Sequence, residues 1–324
     1  MENGVISLEE HFFSKASAST TAPKYSQQLK HIPGLLEKLH DLGPLRLKHM
    51  DAGRISIQVV SHGPGSMTPA QCRSANDELA AAVRTRPDRL AGLAVLPTAD
   101  PDAAAAELHR CIKGLGFVGA LVDNHANGKY YDGPEYQKTL WLAAQELDVP
   151  IYLHPTWPTE PVAEALYQGS FSEGASLSLG ASGFGWHSDV GLHVLRLFAS
   201  GLFDQLPRLK IVIGHMGEML PFMLDRVVQL SPRWGPRQRD FKTVWDGNIW
   251  ITTSGVWSVD PMACIVRNTK IDHILYSVDY PFAKNEDGLL FLEELRRSGL
   301  VTEEELRMIV YTNAKNLLKL KHAK

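Results

Sequence analysis

Eight short apolar runs alternate with helical patterns along this chain, and this rhythm constrains the fold more than any other feature. The runs cover residues 5–12, 55–61, 90–97, 118–123, 150–154, 209–214, 248–254 and 274–279. Such runs are typical of strands that are buried on both faces of a sheet. Helical patterns separate most of them, at residues 73–86, 101–115, 135–147, 189–201, 218–230 and 260–269. The alternation predicts a parallel sheet covered by helices.

Eight strand-helix units are the number found in a (β/α)8 TIM barrel. A doubly wound open sheet is the competing architecture, but no Gly-x-Gly-x-x-Gly motif follows a strand-like run, which weakens its dinucleotide-binding version. We therefore predict an α/β fold, with a single barrel domain over residues 1–324. The polar stretch 13–29 and the Gly- and Ser-rich stretch 155–186 interrupt the rhythm. We expect both to be excursions at the catalytic face, where loops recognise substrates.

The composition excludes several kinds of partner. The chain is 44% apolar and 21% charged, which is ordinary for a protein with a large core. Its formal net charge of -3 gives no electrostatic case for binding nucleic acid or an anionic membrane. No segment approaches the ~20 apolar residues of a membrane-spanning helix, and three widely spaced cysteines indicate neither a disulfide framework nor a thiolate metal cluster. We expect a cytoplasmic protein with a small-molecule partner.

Polar side chains stand at the downstream ends of four strand-like runs. Because the carboxyl ends of barrel strands meet at one face, we expect these side chains to share a site. In the first run, strand alternation places Glu9 and His11 on one side and Glu10 on the other. The residues at the four ends are Glu9, His11, His154, His215 and Asp279.

Four of these residues form a candidate metal-ligand set. Two imidazoles and two carboxylates, from Glu9, His11, His154 and Asp279, suit Mn²⁺ or Zn²⁺ and leave a position for substrate. Each residue taken alone also has a structural interpretation: a solvated acidic turn for the first run, or a hydrogen-bonded core histidine for His154. A buried carboxyl at Asp279 must be paired, bound to a cation or protonated.

The segment Gly214-His-Met-Gly-Glu218 joins the sixth strand-like run to the next helical pattern. His215 is placed to hydrogen-bond a substrate oxygen, while Glu218 orients its ring through the second ring nitrogen. The alternative role for Glu218, in the first turn of a helix, is to complement the helix dipole. The two roles are compatible.

With these residues placed, the chain resembles the amidohydrolase superfamily, and within it the nonoxidative decarboxylases of dihydroxybenzoates and salicylate. The resemblance is colinear over nearly the whole length. The matching segments are Leu8-Glu-Glu-His-Phe12, Arg46-Leu-Lys-His-Met-Asp51, Arg86-Pro-Asp-Arg-Leu90, Gly116-Phe-Val-Gly-Ala-Leu-Val122, Leu147-Asp-Val-Pro-Ile-Tyr-Leu-His-Pro155, Ala199-Ser-Gly-Leu-Phe-Asp204, Gly214-His-Met-Gly-Glu218, Ile251-Thr-Thr-Ser-Gly255 and Ser277-Val-Asp-Tyr-Pro281.

This resemblance implies one divalent metal ion and the ligand set Glu9, His11, His154 and Asp279. The family carries Glu-x-His or Glu-x-Ala in its first strand, where hydrolytic amidohydrolases usually carry His-x-His. Members also place an arginine from a neighbouring subunit near the active site, and Arg226 stands at the matching position. The resemblance therefore implies a homodimer or homotetramer.

The chain differs from the family that it resembles in two places. After His154-Pro155, close relatives have Arg-Asn-Pro where this chain has Thr156-Trp157-Pro158, and the following loop aligns poorly. Relatives commonly have Glu where this chain has Ala283. Both changes lie at the rim of the expected pocket, so they bear on the choice of substrate.

The residues and the resemblance together leave three functions open. The first is reversible decarboxylation of an ortho-hydroxy aromatic acid, with Asp279 as proton donor, His215 and Glu218 holding a substrate oxygen, and Arg226 of a second subunit assisting. The second is hydrolysis of a lactone or amide, with Asp279 as base and His215 polarising the carbonyl; Glu9 in place of a histidine counts against it. The third is a metal-stabilised barrel without turnover.

Overall fold

The computed structural model describes residues 4–17 and 32–320, and a single eight-stranded sheet lies at its centre. Every strand pairs in parallel with the next strand along the chain. Leu8 also forms a parallel bridge with Ser277, just beyond the last strand, which brings the two ends of the sheet together. The prediction of a (β/α)8 barrel is confirmed. Strands β1 to β8 are Ile6–Phe12, Ile57–His62, Leu90–Ala94, Gly119–Asp123, Ile151–His154, Ile211–Ile213, Ile249–Thr252 and Ile274–Leu275.

Helices follow the strands as the sequence pattern predicts. The predicted helix at 101–115 is an α-helix continued by a π-helical turn, and the Asp100 side chain caps it by accepting two backbone N–H bonds. The α-helices are Leu35–His40, Pro44–Ala52, Pro69–Thr85, Pro101–Arg110, Pro134–Tyr136, Leu142–Leu147, Glu160–Leu166, Glu173–Gly180, Gly185–Ala199, Leu202–Gln205, His215–Glu218, Leu220–Leu230, Phe241–Asn248, Val259–Asn268, Asn285–Ser298, Glu303–Arg307 and Asn313–Leu317. The π-helical turns are Cys111–Leu115, Gln137–Trp141 and Met308–Thr312, and the 3-10 turns are Lys15–Ser17, Ser231–Trp234 and Ile271–His273.

Two strands end earlier than the apolar runs predict. The run at 209–214 gives a strand that ends at Ile213, and the run at 274–279 gives one that ends at Leu275. Beyond these ends, His215 and Asp279 adopt left-handed backbone conformations, with φ of 48° and 70°. A regular strand does not include such residues. The site residues therefore stand on turns just past the sheet.

The excursion predicted at 155–186 is more ordered than a loop. It contains the helices Glu160–Leu166 and Glu173–Gly180, the second of which begins where the Ser172 side chain accepts the backbone N–H of Ala175. The polar stretch predicted at 13–29 lies mostly outside the described residues, which include it only as far as Ser17. No described helix combines the length and the apolar character needed to cross a membrane.

Candidate functional site

The structure brings the four predicted metal ligands together at the C-terminal face of the barrel. One ligand atom from each of Glu9, His11, His154 and Asp279 lies within 4.8 Å of the other three. Nε2 of His154 is 3.2 Å from Oε1 of Glu9, and Nε2 of His11 is 3.2 Å from Oδ1 of Asp279. Among the described residues, Glu9 Oε1, His11 Nε2 and Asp279 Oδ1 have no hydrogen-bond partner. Buried polar atoms are rarely left unpaired, so this cluster fits a divalent cation.

An irregular first strand presents two of these ligands. The pairing of β1 with β2 shifts register between Ser7 and Glu10, and Glu9 has φ of 60°. As the sequence predicts, Glu9 and His11 reach the cluster and Glu10 does not, but simple alternation is not the reason. A non-glycine residue in this conformation costs of order 1–3 kcal/mol, so the surrounding contacts must hold it.

Residues on two other strands of the barrel, β5 and β7, supply those contacts. The Tyr152 hydroxyl donates a hydrogen bond to Oε2 of Glu9 and lies 2.8 Å from the Thr252 hydroxyl. Nδ1 of His154 donates to the Pro155 carbonyl oxygen at 2.7 Å, which directs the Nε2 lone pair towards the cluster. Sequence reasoning missed Tyr152, although its position two residues before His154 on the same strand was a usable signal.

Glu10 has a role that the sequence did not reveal. Its two carboxyl oxygens accept the backbone N–H groups of Val278 and Tyr280, at 3.1 and 3.0 Å. These residues flank Asp279, and Glu10 itself is fully buried. We call this contact the Glu10 clamp. It connects the first strand to the turn that carries the last predicted ligand.

His215 and Glu218 form the hydrogen-bonded pair that the sequence predicts. Nδ1 of His215 donates to Oε1 of Glu218 at 2.7 Å, and Nε2 of His215 lies 3.8 Å from Oε1 of Glu9. Glu218 ends the short turn His215–Glu218, in which its φ is 52°, and the regular right-handed helix begins only at Leu220. Glu218 is therefore not in the first turn of a right-handed helix, where the sequence pattern places it. Its second oxygen, Oε2, accepts a hydrogen bond from Nδ1 of His187 at 2.8 Å, a contact that sequence reasoning also missed.

Burial and close charges shift the pKa values of these groups. Burial opposes ionisation of Glu9, but the neighbouring histidines, the charge of His215 foremost and then His154 and His11, lower its pKa below the ordinary range. Burial and the Glu9 charge together raise the pKa of Asp279 well above its usual value. Although burial works against it, the charges of Glu218 and Glu9 raise the pKa of His215 to about 10. The two carboxyl groups therefore differ in their readiness to hold a proton.

Aromatic side chains lie on or next to the two divergent segments, and one of them, Phe282, contacts a residue of the cluster. The Phe282 ring centroid is 5.5 Å from that of His11, and Trp157 meets Trp186 edge-on at 5.5 Å. Arg226, by contrast, is exposed on the helix Leu220–Leu230 and takes no part in the hydrogen bonds that join the other described site residues.

A parallel barrel with carboxyl and imidazole side chains clustered at its strand ends is what the resemblance to the amidohydrolases implies, and comparison with known proteins agrees. The sequence profile of the amidohydrolase family matches residues 33–320. The chain belongs to this family.

Its relatives within the family include decarboxylases. The chain is 55% identical to the decarboxylase orsB of Emericella nidulans over 322 residues, which cover 97% of each protein. It is similar to a 2,6-dihydroxybenzoate decarboxylase solved with 2,6-dihydroxybenzoate (TM-score 0.87, 34% identity, 98% of this chain and 99% of that one). It is equally similar to a dihydroxybenzoic acid decarboxylase from Polaromonas sp. JS666 with bound manganese and the inhibitor 2-nitroresorcinol (TM-score 0.87, 34% identity, 98% and 97%).

Proposed function

We propose that this protein is a metal-dependent carboxy-lyase that removes CO₂, without oxidation, from an ortho-hydroxy aromatic carboxylic acid and yields the phenol. The observation that carries the proposal is the cluster of Glu9, His11, His154 and Asp279 beside the His215–Glu218 pair. The named decarboxylases among its relatives support the same activity. The reverse carboxylation should run at high bicarbonate.

The chain's own residues divide the work. Glu9, His11, His154 and Asp279 would hold one divalent cation. When bound, that cation supplies a Lewis acid and a template for adjacent phenolic and carboxylate oxygens. The manganese in the Polaromonas relative supports Mn²⁺ over Zn²⁺.

Asp279 donates the proton that the reaction requires. The proton goes to the ring carbon that carries the carboxylate, which breaks aromaticity; the bond to CO₂ then breaks and its electron pair restores the ring. Nε2 of His215 faces Glu9 while Nδ1 is held by Glu218, so His215 is placed to bind a substrate oxygen. These roles need no redox or organic cofactor.

A second copy of the chain completes the site in this proposal, as a homodimer or homotetramer. Arg226 is exposed on a helix that also exposes Phe222 (85%) and Met223 (41%), a surface suited to a protein contact. Phe222 and His215 line the same groove, so a partner seated there would lie next to the site. Arg226 of the partner would then bind substrate. A single barrel domain and a cytoplasmic location remain predictions.

The test is turnover of a substrate panel by Mn²⁺-loaded protein. Hydroxybenzoates with an ortho hydroxyl should release CO₂ and the matching phenol, whereas 4-hydroxybenzoate, which lacks that hydroxyl, should not. Lactones form the second arm, because a hydrolase would open them. If a lactone opens and no hydroxybenzoate loses CO₂, the decarboxylase proposal fails.

The role of Asp279 has its own variant. Asp279→Asn keeps the size and one metal-binding oxygen of the side chain but carries no acidic proton. We expect turnover to fall by about 10²–10⁴-fold, the usual contribution of a positioned acid. Retained turnover in a variant of unchanged metal content would exclude Asp279 as the donor.

A further inference from the structure

Glu218 lies between two imidazole rings. Its Oε1 accepts from His215 at 2.7 Å and its Oε2 accepts from His187 at 2.8 Å, while the carboxyl group itself is fully buried. A carboxylate with one partner can rotate about its last bond. Two hydrogen bonds to opposite oxygens fix that rotation, and with it the direction in which His215 is held.

The turn that carries Glu218 does not hold this geometry by local preference. His215, Met216, Glu218 and Met219 all have positive φ, between 48° and 66°. Each such residue costs of order 1–3 kcal/mol, so tertiary contacts must support the turn. The contacts that stabilise this turn therefore come from residues outside 215–219.

The helix Gly185–Ala199 provides that support. At Gly191 it approaches so closely that an added Cβ would lie 2.8 Å from the Glu218 carbonyl oxygen. His187 is four residues before Gly191, and therefore on the same face of the helix. The helix thus brings its backbone against the turn and its His187 side chain against the carboxyl group.

His187 is itself well held. Its Nδ1 faces Oε2 of Glu218, its Nε2 lies 3.1 Å from the Ser182 carbonyl oxygen, and its side chain is 20% exposed. Its ring centroid is 4.6 Å from that of His215. A carboxylate oxygen can only accept a hydrogen bond, so Nδ1 of His187 is the donor in its contact with Glu218.

We infer that His187 is a positioning residue for His215 and acts through Glu218. The inference rests on the proposed function only in taking His215 as the group that binds a substrate oxygen. It also gives the excursion at 155–186 a link to the reaction, since the helix that carries His187 begins at its end and Ser182 lies within it.

The same three side chains also form a second possible metal-binding group, because their ligand atoms lie within 4.8 Å of one another. Hydrogen bonding is favoured because the two ring nitrogens contact separate carboxylate oxygens at 2.7 and 2.8 Å, within the range of charge-assisted hydrogen bonds. A second ion at this position is the rival outcome of the test.

The test compares His187→Phe, which keeps a planar ring but removes both donors, with His187→Gln, whose amide retains one donor. Leu192→Ala, at a half-exposed position of the same helix, is the control. With 2,6-dihydroxybenzoate as the probe, His187→Phe should lower kcat by about tenfold or more and leave KM within about threefold. His187→Gln should recover part of the loss, and the control should match the wild type.

A double-mutant comparison with Glu218 distinguishes a positioning role of His187 from a general loss of structure. If His187 acts through Glu218, His187→Phe should lower kcat no further in a Glu218→Gln background. The inference would be overturned if the two substitutions lowered kcat additively, or if His187→Phe left kcat unchanged. It would also be overturned if the metal content of His187→Phe fell from two ions per chain to one.

A crystal structure of His187→Phe tests the inference without measuring activity, so its failure can be told apart from a failure of the proposed function. The inference expects the contact between His215 and Glu218 to lengthen from 2.7 Å or to adopt more than one rotamer. An unchanged contact would overturn it, even if the wild type decarboxylates none of the compounds in the panel.

Discussion

Removal of the Glu10 clamp should loosen the turn that carries Asp279. The clamp consists of two buried hydrogen bonds from the backbone N–H groups of Val278 and Tyr280 to the Glu10 carboxyl oxygens. Glu10→Leu fills similar space but offers no acceptor. Both N–H groups would then be buried without a partner, on either side of a residue with positive φ.

The expected cost follows from those two groups. A buried donor that loses its acceptor costs about 1–3 kcal/mol, so the two together should lower the free energy of unfolding by about 2–6 kcal/mol. Glu10→Gln retains one accepting oxygen and should fall between the wild type and Glu10→Leu. Because Asp279 is displaced with its flanking backbone, Mn²⁺ affinity should also fall, by about 10–100-fold.

Two measurements test this expectation. Denaturant unfolding gives the loss of stability, and calorimetric titration with Mn²⁺ gives the loss of affinity. Glu107→Gln is the matched control, because Glu107 is another buried carboxylate with several hydrogen bonds, to Asn76 and Arg110, and belongs to the helix Pro101–Arg110 rather than to the ligand set. It should lose stability and keep its Mn²⁺ affinity.

A Glu10→Leu protein that unfolds at the wild-type denaturant concentration would refute the role of the Glu10 clamp. Equal losses of stability in Glu10→Leu and Glu107→Gln, with Mn²⁺ bound as in the wild type by both, would refute it as well. In that case Glu10 would contribute to the barrel without positioning Asp279.

Three further predictions concern the metal, pH and the partner subunit. Chelation should abolish turnover and lower the melting temperature, and added Mn²⁺ should restore both, because buried groups such as Glu9 and His11 lose their common partner; full activity after chelation would contradict the metal proposal. Burial lowers the pKa of His193 to about 3, so the folded protein keeps this imidazole neutral. Its contribution to the free energy of unfolding is complete above pH 6.5 and is lost as the pH falls towards 3, with a loss of about 2 kcal/mol at pH 5. Unfolding at pH 7 and pH 5 should therefore show a smaller pH effect in His193→Gln than in the wild type, and equal effects would argue against this contribution. Arg226→Ala should lower kcat/KM while metal content stays constant, and unchanged turnover would remove its role across subunits.

Local patterns were enough to predict the barrel. Runs such as 118–123 and 150–154 become strands Gly119–Asp123 and Ile151–His154 almost residue for residue. Burial on both faces of a parallel sheet leaves a continuous apolar run in the sequence, so the signal is local. The helices within 155–186 were missed because that segment is rich in Gly and Ser, and none of the residues of Glu160–Leu166 is buried.

Part of the candidate site could also be predicted from local sequence patterns. Glu9, His11, His154 and Asp279 interrupt or end apolar runs, and a shared strand-end position predicts that they meet. Glu10, Tyr152 and His187 were missed as supporting residues. Each acts on a residue that is distant in sequence, such as Glu10 on Val278, 268 residues away.

By itself, the sequence determined the number and order of the strands and the polar residues at their ends. These features depend on the pattern of apolar and polar residues within short segments, which can be seen directly in the sequence. Only the tertiary structure decided the left-handed turns at Glu9, Glu218 and Asp279. It also decided which side chains hold those turns in place. These conformations are unfavourable locally and persist because hydrogen bonds between distant segments offset their cost.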